Sequence, residues 1–240
     1  MKTIRTSLLT LAAFLSISFA FAQTADEIIA KHIEAIGGKD KLSQLNSVYM
    51  ESETEVMGTQ SATKTTVLNG KGYRNESDFN GQTIVQVMTD KGGWMINPFG
   101  GASDPTPLPD DQFKAGEDQV YIAGPLVDYA AHGGKVELQG QEKVGEVNAY
   151  KLKYTNKDNS ESTYYIDPST YYLIQAVRKG NAMGQEVTIT IKFSNHQKTD
   201  FGVVMPYTTD IDMGQFALKV NVKKVESNKT VDPAIFTMGK

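Results

Sequence analysis

The chain has 240 residues, no cysteine, and a formal net charge of −4 from 24 basic and 28 acidic residues. The lack of cysteine excludes disulfides and cysteine nucleophiles, and the mildly acidic balance argues against nucleic acid as a partner. A chain of this length can bury one sizeable core, so one domain is the simplest organisation.

Residues 1–22 have the features of a secretory signal peptide. Lys2 and Arg5 precede an apolar run, and Ala20-Phe21-Ala22 supplies small residues before a cleavage site. We expect cleavage after Ala22 and export of the chain, with an uncleaved membrane anchor as the alternative. Because no cysteine follows the run, we expect no lipid anchor. Residues 23–240 are then predicted to form a single domain.

The first predicted element of that domain is an amphipathic helix over Ala25–Ile36. Thr24 and Glu27 have the spacing of a capping box, and Gly37-Gly38 supplies the stop. A second short helix is predicted over Lys39–Gln44. Apolar residues recur at helical spacing in the first helix: Ile28, Ile29, Ile33 and Ile36.

From Ser47 onward the pattern changes to the alternation of strands joined by short turns, which predicts an antiparallel meander. Its central hairpin runs from Gln82 to Gly101 and reverses at Asp90-Lys91-Gly92-Gly93, where glycine allows a tight turn. This hairpin contains Trp94, the only tryptophan of the chain. Its apolar side chains point to both faces, so both faces need cover. One face is expected under helices, and the other is a candidate cavity wall.

A helical insertion is predicted to interrupt the strands. Ala102–Asp111 contains three alternating prolines and is predicted to be a loop. Gln112–His132 has helical spacing and is predicted to form two short helices separated at Gly124-Pro125. Two interpretations stay open for this insertion, namely a movable lid and a cover that is permanently packed on the sheet.

The second half is again a series of strands, which brings the predicted total to about eleven. A twisted antiparallel sheet of that size tends to curl. The tail Val231–Phe236 is predicted to pack Ile235 and Phe236 onto the core. The predicted strands of this half are Lys135–Gln139, Val147–Tyr154, Ser162–Asp167, Tyr171–Val177, Val187–Phe193, Val203–Thr208 and Phe216–Val225.

Catalytic and metal-binding motifs do not stand out in the sequence. The three histidines, His32, His132 and His196, lack a partner at metal-ligand spacing, and we interpret them as surface or capping residues. The G-x-S-x-G, G-x-G-x-x-G and P-loop patterns are missing. We therefore predict that the protein is not an enzyme and uses no metal and no cofactor.

Several motifs, in this order, resemble the periplasmic outer-membrane lipoprotein carrier superfamily, the Lol-type lipoprotein-sorting proteins. Asp90–Phe99 is similar to the W-x-x-N-P element of that family and its preceding turn. Thr163–Ile174, followed by Asp200–Pro206, resembles a later hairpin and strand, and Val231–Thr237 resembles the closing V-D-x-x-x-F. Together with the leading helix, these motifs cover most of residues 23–240. The resemblance is that of a divergent member of the superfamily.

The resemblance implies a mainly β, α+β fold. In that fold a strongly curved antiparallel sheet forms an incomplete barrel, closed by short helices, and its concave side receives acyl chains. The implied function is a monomeric periplasmic carrier that binds a lipoprotein or lipid and delivers it towards the outer membrane. Inner- and outer-membrane lipoprotein-transfer proteins are the expected partners. The alternative is an envelope sensor or interaction module on the same scaffold, without a transported ligand.

The resemblance also directs the choice of site residues. Arg74 is a candidate for holding the lid through hydrogen bonds to backbone carbonyls, as a basic residue does in the family; a surface arginine is the alternative. Ordinary core packing is the alternative for each lining residue. The candidate lining residues are Val85, Val87, Trp94, Ile96 and Phe99 of the central hairpin, with Phe113 and Val120 of the insertion.

Overall fold

The computed structural model describes residues 23–182, 185–214 and 216–239. The predicted signal peptide lies outside these ranges. The leading helix is present as α1 (Ala25–Ala35), and its capping box forms as predicted, because Thr24 and Glu27 bond each other's backbone N–H. A second helix, α2 (Lys39–Gln44), follows. Within the described ranges, every helix is too short or too polar to cross a membrane.

Within the described residues, thirteen strands form one antiparallel sheet. The strands before the insertion are β1 (Ser47–Val56), β2 (Thr59–Leu68), β3 (Gly72–Phe79), β4 (Gln82–Thr89), β5 (Gly92–Asn97) and β6 (Ala102–Pro107). The strands after the insertion are β7 (Lys135–Val144), β8 (Val147–Thr155), β9 (Glu161–Ile166), β10 (Leu173–Ala182), β11 (Gln185–Lys198), β12 (Val204–Asp212) and β13 (Ala217–Ser227).

Two meanders build the sheet, and they join where β1 pairs with β13. The strand order is therefore β6-β5-β4-β3-β2-β1-β13-β12-β11-β10-β9-β8-β7. The edge strands β6 and β7 do not pair, so the sheet is not closed into a barrel. This confirms the predicted mainly β architecture of an incomplete barrel with short helices, although the sheet has thirteen strands and not about eleven.

The insertion differs from its prediction at both ends. Ala102–Pro107 is an edge strand and not a loop, because an edge strand tolerates proline on its unpaired side. One helix, α3 (Asp110–Gly116), continues into a 3₁₀ turn at Glu117–Val120. The predicted second helix is replaced by successive turns over residues 121–134. Positive φ angles at Gly124 (77°) and Asp128 (53°) explain why no helix forms there.

The first meander carries different partners on its two faces. On one face, Tyr73 lies directly opposite both Val67 and Met88. Met88 packs against Val120 of the insertion, and Tyr73 lies beside them. The neighbouring Val48, opposite Val67, packs with Ile36 and Val203. This face is therefore covered by the insertion and by the end of α1.

On the other face of the same strands, Val87 lies directly opposite both Arg74 and Trp94. The cover here is the C-terminal 3₁₀ helix (Pro233–Phe236), whose Phe236 packs with Val87 and Trp94. The predicted packing of the tail on the core is therefore present, on the face that points away from the insertion.

Candidate ligand cavity

A cavity of about 1000 Å³ lies between the insertion and strands β8–β12. His32 of α1 and Ile36, the residue directly after that helix, line one end of it. This volume is at the upper end of the range of about 300–1,000 Å³ that is usual for small-molecule sites. The sheet forms the floor of the cavity. Side chains at paired positions of neighbouring strands point to the same face of the sheet and together make a continuous surface.

The middle of the floor is an apolar row across three strands. Ile191 of β11 lies directly opposite Ala176 of β10 and opposite Ile211 of β12. Towards α1, Phe193 and Met205 continue this apolar surface. Because all five residues line the cavity, the part of the cavity above them is suited to a hydrocarbon chain.

The opposite end of the floor is polar. Arg178 lies two residues beyond Ala176 on β10, and Lys179 pairs with Glu186 at 2.7 Å. Asp118 of the insertion lines the same region. Burial raises the pKa of Asp118 above its ordinary value of 3.8, and the positive charge of Arg178 opposes that rise. The floor of the cavity therefore changes from apolar at Ile191 and Phe193 to polar near Lys179 of β10 and Glu186 of β11.

The insertion is attached to both meanders. Arg178 Nη1 donates a hydrogen bond to the carbonyl oxygen of Ala115 at the end of α3. Between β2 and β3, Gly70 N donates to Val120 O at 2.9 Å. An ion pair of 3.0 Å joins Lys157 to Glu117. Arg178 is thus a cavity-lining side chain that contacts the cover directly.

Two histidines lie at the end of the cavity next to α1. His32 Nδ1 lies 2.8 Å from Tyr171 O, and His196 Nε2 lies 3.1 Å from Leu173 O. A carbonyl only accepts, so each of these nitrogens carries a proton. Burial lowers the pKa of both imidazoles below 6.5. The interpretation of His32 as a surface or capping residue was wrong, since its side chain is buried.

The structure places the candidate lining residues in three different environments. Val85, Val87 and Trp94 are buried in the core under the C-terminal 3₁₀ helix, and Ile96 is half-buried against that core. Phe99 is 53% exposed and meets Phe79 edge to face. None of these five lines the large cavity.

The two candidates from the insertion lie closer to the cavity. Phe113 and Val120 line a smaller space of about 140 Å³, which shares Asp118 and Tyr121 with the large cavity. Contact between a ligand and Phe113 or Val120 stays a prediction.

Arg74 bonds a backbone carbonyl, but in the tail and not in the insertion. Its Nη1 donates to Ile235 O at 2.8 Å, and its Nη2 pairs with Glu76 at 2.6 Å. The guanidinium also lies over the ring of Trp94, 5.6 Å from the centroid. The segment that Arg74 holds in the structure is therefore the C-terminal 3₁₀ helix.

The described residues contain no cluster of three or more His, Asp or Glu side chains placed to hold a metal ion. The arginine that does contact the insertion, Arg178, was not among the sequence candidates. No local signal marks it, because its contact with the cover depends on the approach of Ala115, 63 residues away in sequence.

Solved structures share this architecture. A DUF1329 family protein from Desulfovibrio piger matches with a TM-score of 0.59 and 14% identity, covering 88% of this chain and 96% of that one. A LolA superfamily protein from Nitrosomonas europaea matches with a TM-score of 0.60 and 15% identity, covering 90% and 98%. The chain has the LolA fold.

A third LolA-fold neighbour is described as an outer membrane lipoprotein-sorting protein domain from Vibrio parahaemolyticus. It matches with a TM-score of 0.55 and 10% identity, over 87% of this chain and 97% of that one. No protein-family model matches the sequence, and a search of curated proteins finds no relative. The resemblance noted in the sequence motifs is therefore supported at the level of the LolA fold.

Proposed function

We propose that this protein is a periplasmic carrier that binds the acyl chains of a lipoprotein or lipid and delivers them towards the outer membrane. The observation that carries the proposal is the cavity of about 1000 Å³ with an apolar floor under a separate cover. The LolA fold supports it, since one neighbour is described as a lipoprotein-sorting domain. The signal peptide predicted over residues 1–22 supports export.

The need for such a cavity follows from the cost of exposing hydrocarbon to water. Burying one methylene contributes about 0.8 kcal/mol, so a 16-carbon chain gains on the order of 12 kcal/mol from shelter. Apolar side chains such as Ile191 and Phe193 supply that shelter without directional bonds. Met205 adds a flexible surface that adapts to different chains. The binding is non-covalent, and no catalytic step is part of the proposal.

Delivery requires the cover to move. The insertion is held by apolar packing, as of Val120 against Met88, and by polar contacts that include Arg178 to Ala115 and Lys157 to Glu117. The ion pair is partly exposed through Lys157 and is worth little on its own, so we propose that a partner opens the cover by competing for both kinds of contact. Membrane proteins that load and unload lipoproteins are the proposed partners, and the carrier is proposed to act as a monomer.

The test is mass spectrometry of organic extracts from the protein purified from periplasm without detergent. We expect phospholipid, lipoprotein or free acyl species in near-stoichiometric amounts. A parallel preparation of a variant with a charged cavity floor, Phe193→Asp, serves as the control for surface-adsorbed lipid. Protein that is free of lipid, and stays so after incubation with labelled lipids, would contradict the proposal and favour an envelope sensor or interaction module.

A further inference from the structure

Three side chains with hydroxyl groups lie next to one another on the floor of the large cavity. Tyr154 of β8 lies directly opposite Ser162 of β9, and Tyr164 follows two residues later on the same face of β9. The ring centroids of the two tyrosines are 5.9 Å apart. All three residues line the cavity. We call these three residues, Tyr154, Ser162 and Tyr164, the hydroxyl patch.

The hydroxyl patch borders the apolar part of the floor. Tyr164 lies directly opposite Ala176 of β10, and Ala176 lies directly opposite Ile191 of β11. Neighbouring strands are about 4.8 Å apart, so Tyr164 and Ile191 are separated by about 10 Å across two strand spacings. A hydrocarbon chain that lies over Ile191 therefore has one end within reach of the hydroxyl patch.

The hydroxyl of Tyr154 is available to a ligand. Only 3% of this residue is exposed, and Gly134 of the insertion packs on its ring, where a Cβ atom would approach Cε2 to within 2.6 Å. Among the described residues the hydroxyl has no hydrogen-bond partner, yet it is not one of the fully enclosed polar atoms that lack a partner. Tyr154 lines both the large cavity and the smaller space beside it, so the hydroxyl lies where these two spaces meet.

Both phenols are donors at neutral pH. Burial, and after it the negative charge of Asp118, raises the pKa of Tyr154 to about 12. The same two causes raise the pKa of Tyr164 far above its ordinary value of 10.0, and the neighbouring Ser162 interacts with the Tyr164 hydroxyl. A buried donor without a partner is costly, so a ligand group that accepts a hydrogen bond from Tyr154 gains affinity.

The charges of the cavity lining nearly cancel. Lys179 pairs with Glu186, and Glu161 pairs with Lys153 on the neighbouring strand. The lining therefore offers no cluster of cations that would hold an anionic head group. The charged residues of the lining are Lys114, Arg178 and Lys179, against Asp111, Asp118, Glu161 and Glu186.

The charges nearest to the hydroxyl patch are also unsuited to an anion. Those that act on the Tyr154 hydroxyl belong to Asp118 and Glu117, and both are negative. Arg178 acts on Tyr164, where Asp118 opposes it. The Nη1 of Arg178 is already bonded to the insertion. The local chemistry therefore favours an uncharged group that accepts hydrogen bonds.

We propose that the polar end of the carried molecule is an acyl ester whose carbonyl oxygen accepts a hydrogen bond from the Tyr154 hydroxyl, with Tyr164 as the second donor. An ester presents only acceptors, which complements the two phenol donors. This inference rests on the proposed function, because it names the class of ligand in the same cavity. A glyceride and a diacylated lipoprotein both carry such an ester.

The experiment measures the affinities of the purified protein for methyl palmitate, palmitate and hexadecane, each presented from cyclodextrin, by displacement of N-phenyl-1-naphthylamine. Tyr154→Phe, which keeps the ring, is expected to weaken methyl palmitate about 3- to 10-fold through the loss of one neutral hydrogen bond. It should change hexadecane by less than about 2-fold. Tyr164→Phe should act in the same direction. Tyr165→Phe is the matched control and should change none of the three, because the Tyr165 hydroxyl donates to Glu142 at 3.0 Å on the other face of β9.

The outcomes separate this inference from the proposed function. If wild type binds none of the three probes, the carrier function fails, and the ligand class with it. If wild type binds hexadecane and methyl palmitate but Tyr154→Phe weakens both equally or neither, the carrier function stands and the ester site is overturned. Tighter binding of palmitate than of methyl palmitate would also overturn the ester site.

Mass spectrometry of the ligand that copurifies with the protein tests the same assignment without added probes. We expect acyl chains that mild alkali releases, because hydroxide cleaves esters. A ligand mass that includes peptide would identify a lipoprotein as the source, and a peptide-free mass would identify a glyceride lipid; both support the ester site. A ligand with only free carboxylic acids or only alkali-resistant amide-linked chains would contradict it.

Discussion

The indole Nε1 of Trp94 donates a hydrogen bond of 2.9 Å to the carbonyl oxygen of Phe236, 142 residues further along the chain. The two rings belong to one buried cluster with Val85 and Val87. Gly72 lies directly under the ring of Phe236, where a Cβ atom would approach ring atoms to within 2.7 Å. The tail is therefore fitted closely onto the first meander, on the face opposite the cavity.

We expect Trp94→Phe to lower the free energy of unfolding by about 1–3 kcal/mol, because the buried carbonyl of Phe236 loses its donor. Ligand retention should not change, since the site faces away from the cavity. Urea denaturation followed by circular dichroism measures the first effect, and lipid analysis of the purified variant measures the second. Met238→Ala, at a residue that is 44% exposed, is the control and should change stability by less than about 0.5 kcal/mol. Loss of lipid from a folded Trp94→Phe protein would contradict the assignment of faces.

Arg74→Met is expected to loosen the tail and not the insertion. The substitution removes the bond to Ile235 O, and a hydrogen bond of a charged group contributes about 1.5–3 kcal/mol. It also removes the pair with Glu76, which contributes less because it is partly exposed to solvent. We expect a lower urea midpoint and a red shift of Trp94 emission as the tail separates. Hydrogen exchange of residues 110–120 should stay at the wild-type rate. Faster exchange there, with the tail unaffected, would restore Arg74 as a lid-holding residue.

Phe193→Asp tests the apolar floor of the cavity. A carboxylate at this position is costly to desolvate, so we expect the amount of co-purified lipid to fall to background. Ser194→Asp is the matched control, because the next residue on β11 is exposed and points to the other face. Lipid content is measured by mass spectrometry, with thermal unfolding to confirm that both variants are folded. Equal lipid content in the two variants would place the ligand elsewhere.

Stability is expected to fall between pH 7 and pH 5, in part because of His32. Burial lowers the pKa of its imidazole in the folded state, and the hydrogen bond to Tyr171 O only partly opposes this. Below pH 6.5 the unfolded chain binds a proton that the folded protein does not, so stability is full above that pH and is lost as the pH falls. His196 contributes with the same sign.

The measurement is the urea midpoint as a function of pH for wild type and for His32→Gln, whose side chain can still donate to Tyr171 O. The variant should show a smaller fall between pH 7 and pH 5. If the two proteins lose stability in parallel over this interval, protonation of His32 does not contribute.

Local signals made much of the fold predictable. Thr24 and Glu27 define the start of α1 through a capping box, which depends on four consecutive residues. The strands follow from alternation and from turn residues such as Asn80-Gly81, where both residues have positive φ. The two ends of the insertion were harder to predict from the sequence. Prolines are compatible with either a loop or an edge strand, and the edge position of β6 depends on the whole sheet.

The lining of the cavity was not predictable from the same signals. Alternation shows that Val87 and Trp94 point to the opposite face of the sheet from the residues next to them in sequence. It does not show which segment of the chain covers each face. That depends on contact with Phe236, which is distant in sequence. Arg178 lies in a stretch with Lys179 that is typical of a solvated strand end. Its role depends on the approach of Ala115, which no local pattern indicates.

The contact between Trp94 and the tail gives this protein a label-free optical reporter. Because the only tryptophan is buried beneath Phe236, its emission follows attachment of the last turn, while lipid in the cavity has no direct contact with it. A spectral change on loading with lipid would therefore mean that movement on one side of the sheet is transmitted to the other. An unchanged spectrum would mean that loading and tail attachment are independent, so that tail stability can be monitored in the presence of any ligand.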